Sequence, residues 1–310
     1  MVFESKGKLI LFAKLWMIYE LYKLYIKITK KKYSIKNKVI LITGGASGIG
    51  KLLAIKCKNE GGIVCIWDIN DKGLNEMKNI VDLCQKCDVT SYDNVINSAN
   101  VLLSKFNKLD ILVNNAGIVF GNTLLDLTPK QINLTYGVNI LSHYWTVKAF
   151  LPGMIKRESG HIISIVSTSG LAGVGYLTDY SASKFACNGF DQSLKRELKL
   201  LNKHKGIYFT GIFPHFISTG MFDGTKPEAK SLILRMIYPG WLKPERVCNE
   251  IYNAIIYKKR KVKIPKYFGD IISLMTFLCD YCGLPHWIND YLVNQCGELS
   301  HIKGNKKHKK

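Results

Sequence analysis

Five short apolar runs, separated by stretches of helical periodicity, constrain the fold of this chain more than any other feature. They read KVILIT, GIVCIWD, LDILVNN, HIISIVS and GIYFTGIF, and the first begins at residue 38. Each run is β-rich and apolar on both faces, which is typical of strands buried in a parallel sheet. Strands that alternate with helices indicate βαβ units. We therefore predict an α/β fold with a doubly wound parallel sheet.

The domain organisation follows from where this alternation stops. No internal repeat or low-complexity linker interrupts residues 38–265, which we predict to form one domain with a full apolar core. Residues 266–302 are apolar and aromatic but lack strand spacing, and we interpret them as a substrate lid or a membrane contact. Residues 303–310 form a basic tail with five lysines.

The positive charge of the chain is concentrated at its two ends. The net charge is +21, and residues 1–38 hold ten lysines against two acidic residues. Charged tails of this kind bind acidic membranes or nucleic acid, or keep a protein soluble. Because arginines are few and no base-reading module is apparent, we predict no nucleic-acid partner.

The N-terminal segment has the pattern of a membrane-associated helix. Residues 9–19 are apolar except for Lys14, and lysines then recur at helical spacing. The apolar stretch is too short to span a bilayer comfortably. We predict that residues 1–37 form an amphipathic helix in the membrane interface, with lysines near anionic lipid heads. The alternative is an extra helix packed on the domain surface.

The nine cysteines do not predict a metal site. Two C-x-x-C pairs, at Cys84 and Cys87 and at Cys279 and Cys282, lie nearly two hundred residues apart without histidines at matching spacing. We expect reduced thiols and no bound metal.

A glycine-rich turn follows the first apolar run. The sequence TGGASGIG places Gly44, Gly48 and Gly50 between a strand and a helix. Glycines at such a turn let the backbone approach a pyrophosphate, which then rests on the N-terminus of the helix. The turn therefore predicts a dinucleotide site.

An acidic residue follows the second run. Asp68, some twenty residues past the glycine turn, can accept hydrogen bonds from both ribose hydroxyls and would repel a 2′-phosphate. Neither Ser47 nor Ile69 supplies a cation for such a phosphate. This pattern favours NAD over NADP.

Tyr180 and Lys184 stand four residues apart in the sequence TDYSASKFAC, with small residues between them. On a helix both side chains lie on one face. The lysine charge would lower the pKa of the phenol and make it an acid or base near neutral pH. A tyrosine and a lysine that merely pack on a helix surface give the same spacing, so the pair alone leaves both interpretations open.

Several further motifs occur in a fixed order. They are CDVT with Asp88, NNAG at residues 114–117, Asn139, and Ser167 thirteen residues before Tyr180. Together with the glycine turn and the Tyr180–Lys184 pair, they make residues 38–265 resemble the short-chain dehydrogenase/reductase family, whose fold is Rossmann-like.

The resemblance implies a mechanism and a cofactor site. Tyr180 takes the hydroxyl proton of an alcohol, Lys184 supports the phenolate and holds the nicotinamide ribose, Ser167 binds the reacting oxygen, and Asn139 holds a relay water. Ser167 and Tyr180 are the implied substrate contacts. The implied cofactor residues are Gly44, Ser47, Gly48, Ile49, Gly50, Asp68, Asp88, Val89, Asn115, Ala116, Gly117, Tyr180, Lys184, Pro214, Ile217 and Thr219.

The sequence FPHFISTGMFDG, the WDIN motif and the lysine-flanked N-terminus resemble one branch of the family. That branch contains epidermal retinol dehydrogenase and the lipid-droplet 17-beta-hydroxysteroid dehydrogenases. It implies NAD-dependent oxidation of a lipophilic alcohol (retinol, a steroid or a long-chain alcohol) at the endoplasmic reticulum membrane or a lipid droplet. The catalytic domain would face the cytosol, and a homodimer built on the long helices around Asn139 and Tyr180 is expected by analogy.

Two alternatives stay open at this point. One is an NADPH-dependent carbonyl or 3-oxoacyl reductase, and the other is a lipid-droplet-coating protein with little turnover. The four intact residues Asn139, Ser167, Tyr180 and Lys184 favour an enzyme. His215 stands where many members have glycine, and the substrate walls are expected in residues 217–240 and 266–295.

Overall fold

The computed structural model of the chain describes Met17 and residues 32–222, 240–282 and 284–287. The described strands are β1 Val39–Thr43, β2 Ile63–Asp68, β3 Leu83–Lys86, β4 Ile111–Asn114, β5 Gly160–Ile165, β6 Ile207–Pro214 and β7 Lys261–Ile264. These seven parallel strands form one sheet in the order β3-β2-β1-β4-β5-β6-β7. The prediction of a doubly wound parallel sheet is confirmed.

Helices connect the strands and cover the sheet. The described α-helices are α1 Gly48–Asn59, α2 Asp71–Met77, α3 Tyr92–Phe106, α4 Pro129–Tyr136, α5 Ser142–Lys156, α6 Thr178–Leu200, α7 Pro244–Ile256 and α8 Lys266–Cys282. A π-helix over Gly137–Leu141 joins α4 to α5, and α7 packs against α1.

The core follows from the alternation of side chains along the central strands. Val39 and Leu41 of β1 point to the face covered by α3, α5 and α6, where they pack in one cluster with Trp67 of β2 and Phe150 of α5. The residues between them point to the other face, as the period of two requires. All five residues of β1 are buried, which explains why this strand reads as a continuous apolar run.

Two strands, β3 and β7, were not predicted from the sequence, and both lie at the edges of the sheet. β3 reads LCQK and β7 reads KVKI, with four residues each. An edge strand is covered on fewer sides, so it carries polar and charged side chains. In β7, Val262 and Ile264 are buried while Lys261 is exposed. Neither strand therefore has the apolar signature of the central five.

The C-terminal segment 266–302 begins with helix α8. In α8, Phe268, Gly269 and Cys279 are buried, whereas Leu274 and Tyr281 are 56% and 78% exposed. None of the described helices is both long and apolar enough to cross a bilayer. Residues 1–16 and 18–31 of the predicted N-terminal membrane helix lie outside the described residues, as do part of both predicted substrate walls and the basic tail.

Asp191 of α6 has a buried carboxyl group, and its protonation tests whether the structure excludes water from this position. Ser164 Oγ of β5 donates to its Oδ1 at 2.9 Å, and burial raises its pKa from 3.8 to about 7. The unfolded chain ionises Asp191 near pH 3.8, whereas the folded chain keeps the proton up to about pH 7. The free energy of unfolding therefore falls as the pH rises through this window.

We expect Asp191→Asn to remove this pH dependence and to raise the free energy of unfolding at about pH 8 by on the order of 3 kcal/mol, because the amide carries no charge and its Oδ1 accepts the same bond. Denaturant unfolding of the variant and the wild type between about pH 4 and pH 8 measures the free energy of unfolding at each pH. Asp93→Asn, at an exposed position in α3, is the control. A variant less stable than the wild type at the higher pH would show that the structure stabilises the carboxylate.

Candidate active site

The glycine turn lies at the carboxyl end of β1 and leads directly into α1. Gly48 has φ +51°, a left-handed conformation that favours glycine. At Gly50 an added Cβ would lie 2.1 Å from the carbonyl oxygen of Gly44, so no larger residue fits. The turn leaves the N-terminus of α1 facing the point where the strand order reverses between β1 and β4. This is where α/β sheets bind dinucleotides.

Asp68 ends β2 beside this turn. Its Oδ2 accepts a hydrogen bond from the backbone N–H of Ala46 at 3.0 Å, and its Oδ1 accepts from that of Asn70 at 3.0 Å. The carboxylate therefore fixes the glycine turn as well as presenting negative charge to the cleft. Its neighbour Ile69 is 65% exposed and uncharged.

Asn115 ties the end of β4 to the glycine turn. Its Nδ2 donates to the carbonyl oxygens of Thr43 and Gly44 at 2.9 and 3.2 Å. The backbone N–H groups of Asn115 and Ala116 donate to Thr43 Oγ1 at 3.0 and 3.1 Å. The NNAG motif thus holds two strand ends together at the floor of the cleft.

Asp88 and Val89 form the wall next to the end of β3. Asp88 Oδ1 accepts hydrogen bonds from the N–H and the hydroxyl of Thr90 at 2.9 and 2.7 Å, so the carboxylate closes its own turn. Both residues line the cleft.

Ser167, Tyr180 and Lys184 come together at the ends of β5 and α6. All three are buried, with exposed fractions of 8%, 5% and 3%. The hydroxyl of Ser167 is hydrogen-bonded to the phenol of Tyr180. Lys184 Nζ donates to the carbonyl oxygen of Ile165 at 2.9 Å and lies 5.6 Å from the centroid of the Tyr180 ring.

The expected lowering of the Tyr180 pKa is wrong for this structure. Burial raises the pKa of the phenol to about 12, and the hydrogen bond from Ser167 offsets only part of the effect. The nearby Lys184 ammonium, which donates to the carbonyl of Ile165, does not reverse this rise, and burial also lowers the pKa of Lys184. Desolvation therefore outweighs the charge of the lysine.

Asn139 lies behind the cleft wall in the π-helix and is completely buried. Its Oδ1 accepts from the N–H of Ile118 at 2.9 Å, and its Nδ2 donates to the carbonyl of Ile118 and to Ser183 Oγ at 3.1 and 3.0 Å. The thiol of Cys187 donates to its backbone oxygen at 3.0 Å. These bonds fix the residue rigidly, and its relay role stays a prediction.

The predicted residues surround one cleft of about 470 Å³ at the carboxyl ends of the strands. Gly50 packs beneath the turn and Asn139 lies behind the wall, so neither lines it. The predicted residues that line it are Gly44, Ser47, Gly48, Ile49, Asp68, Asp88, Val89, Asn115, Ala116, Gly117, Ser167, Tyr180, Lys184, Pro214, Ile217 and Thr219.

Sequence reasoning missed the apolar side chains that pack around Tyr180. Val119, Leu177 and Phe216 form a buried cluster with the tyrosine, and Val174 and Trp241 pack against it. They come from the loops after β4, β5 and β6. The sequence signal that could have located this cluster is the presence of apolar residues in the loops that follow these strands. In the described part of the chain, no group of three or more His, Cys, Asp or Glu side chains is arranged to hold a metal.

A Rossmann-like sheet with a glycine turn at its switch point, an acid at the end of β2 and a buried Ser–Tyr–Lys set are typical of a nicotinamide-dependent oxidoreductase. The model of the short chain dehydrogenase family matches residues 38–230. The chain belongs to the short-chain dehydrogenase/reductase family.

Three named relatives place the chain within one branch of that family. Short-chain dehydrogenase/reductase family 16C member 6 of Bos taurus is 37% identical over 290 residues, covering 88% of this chain and 90% of the relative. Epidermal retinol dehydrogenase 2 of Homo sapiens is 34% identical, covering 87% and 90%. The 17-beta-hydroxysteroid dehydrogenase 13 of Mus musculus is 34% identical, covering 80% of each chain.

Solved structures share the fold. A short-chain dehydrogenase/reductase from Burkholderia phymatum in complex with NAD aligns with a TM-score of 0.70 at 22% identity, covering 80% of this chain and 96% of that one. A metagenomic short-chain oxidoreductase in complex with NADP aligns with a TM-score of 0.60 at 23% identity, covering 74% and 96%. The two hold different dinucleotides, so the fold accepts either.

Proposed function

We propose that this protein oxidises the hydroxyl group of a lipophilic alcohol with NAD as the hydride acceptor. The observation that carries the proposal is the position of Tyr180. Its phenol is hydrogen-bonded to Ser167, lies near Lys184 and packs in a cluster of apolar side chains beside the dinucleotide cleft. A proton acceptor and a hydride-acceptor site thus lie next to an apolar surface.

The cleft has the donors and the space that a dinucleotide needs. The N-terminus of α1 at Gly48 suits the pyrophosphate, Asp68 suits the adenosine ribose, and Lys184 suits the nicotinamide ribose. Pro214, Ile217 and Thr219 line the end of the cleft near Tyr180. Bound NAD supplies the carbon that accepts the hydride.

Three side chains of the protein take part in the transfer of the proton. Tyr180 Oη accepts the proton of the alcohol, and the Ser167 hydroxyl donates a hydrogen bond to the oxygen on which charge develops. Since burial raises the pKa of Tyr180 to about 12, the reactive phenolate needs stabilisation. The positive charge of Lys184 provides it, and the Ser167 hydroxyl donates to the phenol until the alcohol binds.

Asp68 favours NAD over NADP. Both of its carboxylate oxygens are held by backbone N–H groups, so the negative charge is fixed where a 2′-phosphate would sit. The uncharged Ile69 beside it offers no compensation. A reductase that uses NADPH is therefore the less favoured function.

The apolar cluster around Tyr180 supports a lipophilic substrate. Val119, Leu177 and Phe216 come from three loops and pack with Tyr180, and two of them, Val119 and Phe216, also line the cleft. Burying a methylene group contributes about 0.8 kcal/mol, which is roughly a fourfold change in affinity. The relatives named for retinol and for a 17-beta-hydroxysteroid agree with this class of substrate.

We expect kcat/KM for straight-chain primary alcohols with NAD to rise about threefold to fourfold per methylene until the apolar part of the cleft is filled. Val119→Thr, which keeps the shape of the side chain, should lower kcat/KM about tenfold for a long alcohol and little for ethanol. Val262→Thr, at a similarly buried position in β7, is the control. Initial rates of NADH formation measure both effects, and equal rates for short and long alcohols would contradict the proposal.

The location at the endoplasmic reticulum membrane or a lipid droplet, with the catalytic domain facing the cytosol, stays a prediction. It depends on residues 1–37, of which the structure describes only Met17 and residues 32–37. A lipophilic alcohol partitions into lipid, so a lipid surface is where such an enzyme meets its substrate. The homodimer also stays a prediction.

A further inference from the structure

His215 is a buried side chain in the cleft to which neither the motifs nor the mechanism assigns a role. It follows Pro214 at the end of β6, is 8% exposed and lines the cleft. Its ring packs edge-on against Phe216 and against Phe268 of α8, with centroid distances of 4.8 and 4.7 Å. Its backbone N–H donates to the carbonyl of Ile264 at 2.9 Å. The imidazole is therefore held in one place.

This imidazole reaches across to the loop after β5. His215 Nδ1 lies 3.3 Å from Thr168 Oγ1, within hydrogen-bonding distance. Thr168 directly follows Ser167, whose Oγ accepts from the N–H of Ser169 at 3.1 Å. The contact thus joins the loop that carries Ser167 to the loop that carries Pro214, Ile217 and Thr219.

The imidazole stays neutral under assay conditions. Burial lowers the pKa of His215 to about 3, so the side chain does not exchange protons near neutral pH. A neutral imidazole has one donor and one acceptor nitrogen, and a threonine hydroxyl can pair with either. His215 can therefore act by holding Thr168 in position and not as an acid or base.

We propose that His215 is a positioning residue that, through Thr168, fixes the loop of Ser167 against the cofactor loop at residues 214–219. The proposal rests on the proposed function, in which the Ser167 hydroxyl must lie near the oxygen of the alcohol while the cofactor loop borders the nicotinamide site. A displacement of about 1 Å between reacting groups can cost roughly a hundredfold in rate. One hydrogen bond between the two loops controls a smaller displacement, so the expected loss is about tenfold.

The test is a double-mutant cycle of His215→Phe and Thr168→Val. His215→Phe keeps an aromatic ring but removes the nitrogen, and Thr168→Val keeps the shape but removes the hydroxyl. We expect each single variant to lower kcat about tenfold, the double variant to be no slower than the singles, and Thr168→Ser to restore the rate. The pH profile of kcat keeps its shape, because a neutral His215 does not titrate in the assay range.

Two readouts do not depend on turnover. Hydrogen exchange in peptides covering residues 166–172 and 212–219 should rise in both single variants and no further in the double variant. The Kd for NADH, from its fluorescence on binding, should rise about threefold, because most dinucleotide contacts lie elsewhere and one loop contact contributes little.

The protein contains a matched control pair. His161 Nε2 lies 2.7 Å from Thr210 Oγ1, and both residues are buried in strands β5 and β6 but do not line the cleft. Thr210→Val also removes a hydroxyl from a buried His–Thr pair. We expect it to lower stability while kcat and the Kd for NADH stay within about twofold of the wild type.

The outcomes separate this proposal from the proposed function. If the wild-type protein shows no turnover, the proposed function is contradicted. The hydrogen-exchange and NADH-binding measurements then decide whether His215 and Thr168 link the two loops. Unchanged exchange in either single variant, or effects of the two variants on kcat that multiply, would overturn the role of His215. Loss of kcat in Thr210→Val equal to that in Thr168→Val would also overturn it.

Discussion

Replacement of Tyr180 by phenylalanine is expected to lower kcat by roughly a hundredfold to ten-thousandfold, which is the usual contribution of a general acid or base. The variant keeps the buried ring, which packs with Val119, Leu177 and Phe216, and loses only the oxygen to which we assign the proton. The proposed cofactor site at the glycine turn and Asp68 is unchanged. We therefore expect the Kd for NADH to change by less than about threefold.

Steady-state rates with a lipophilic alcohol and a direct NADH titration measure the two quantities. Tyr257→Phe is the control, because Tyr257, the C-cap residue of α7, loses the same hydroxyl but does not line the cleft. If Tyr180→Phe kept more than about a tenth of the wild-type kcat, the tyrosine would not be the base.

The second large effect is expected at Asp68. Asp68→Asn removes the negative charge but leaves one oxygen to accept a backbone N–H, so the glycine turn keeps part of its support. Hydrogen bonds to charged groups contribute about 1.5–3 kcal/mol, so kcat/KM for NAD should fall roughly tenfold to a hundredfold. The kcat/KM for NADP should rise, because the variant no longer repels the 2′-phosphate.

Adding Ile69→Arg supplies the cation that the natural sequence lacks, and a guanidinium pairs well with phosphate. We expect the double variant to use NADP more efficiently than NAD. Asp71→Asn makes the same charge change three residues away, at an exposed carboxylate paired with Lys86 at 2.6 Å, and should leave the preference unchanged. A preference for NADP in the wild type would contradict the role given to Asp68.

The sequence predicted the central sheet because five strands are buried on both faces and must be apolar throughout. It did not predict β3 and β7, because an edge strand has no such requirement. The glycine positions were predictable for a similar reason. At Gly50 the backbone of Gly44 leaves no room for a side chain, so only one residue type fits.

The sequence predicts the candidate site where a motif fixes the positions of the residues. It does not predict the pKa values, which depend on solvation. Spacing alone put Tyr180 and Lys184 on one helix face, but it does not reveal that Lys184 Nζ is bound to Ile165 and that burial dominates the pKa of the phenol. The hydrogen bond between Thr168 and His215 joins residues 47 positions apart, and no local pattern predicts it.

The central proposal is that the protein transfers a hydride from a lipophilic alcohol to NAD. The most direct test is the initial rate of NADH formation by the full chain in detergent with all-trans-retinol, estradiol and a long-chain alcohol, each with NAD and with NADP. We predict turnover with NAD and at least one of the three alcohols, and much less with NADP. Absence of turnover with all three alcohols and both dinucleotides would contradict the claim and favour a lipid-coating protein.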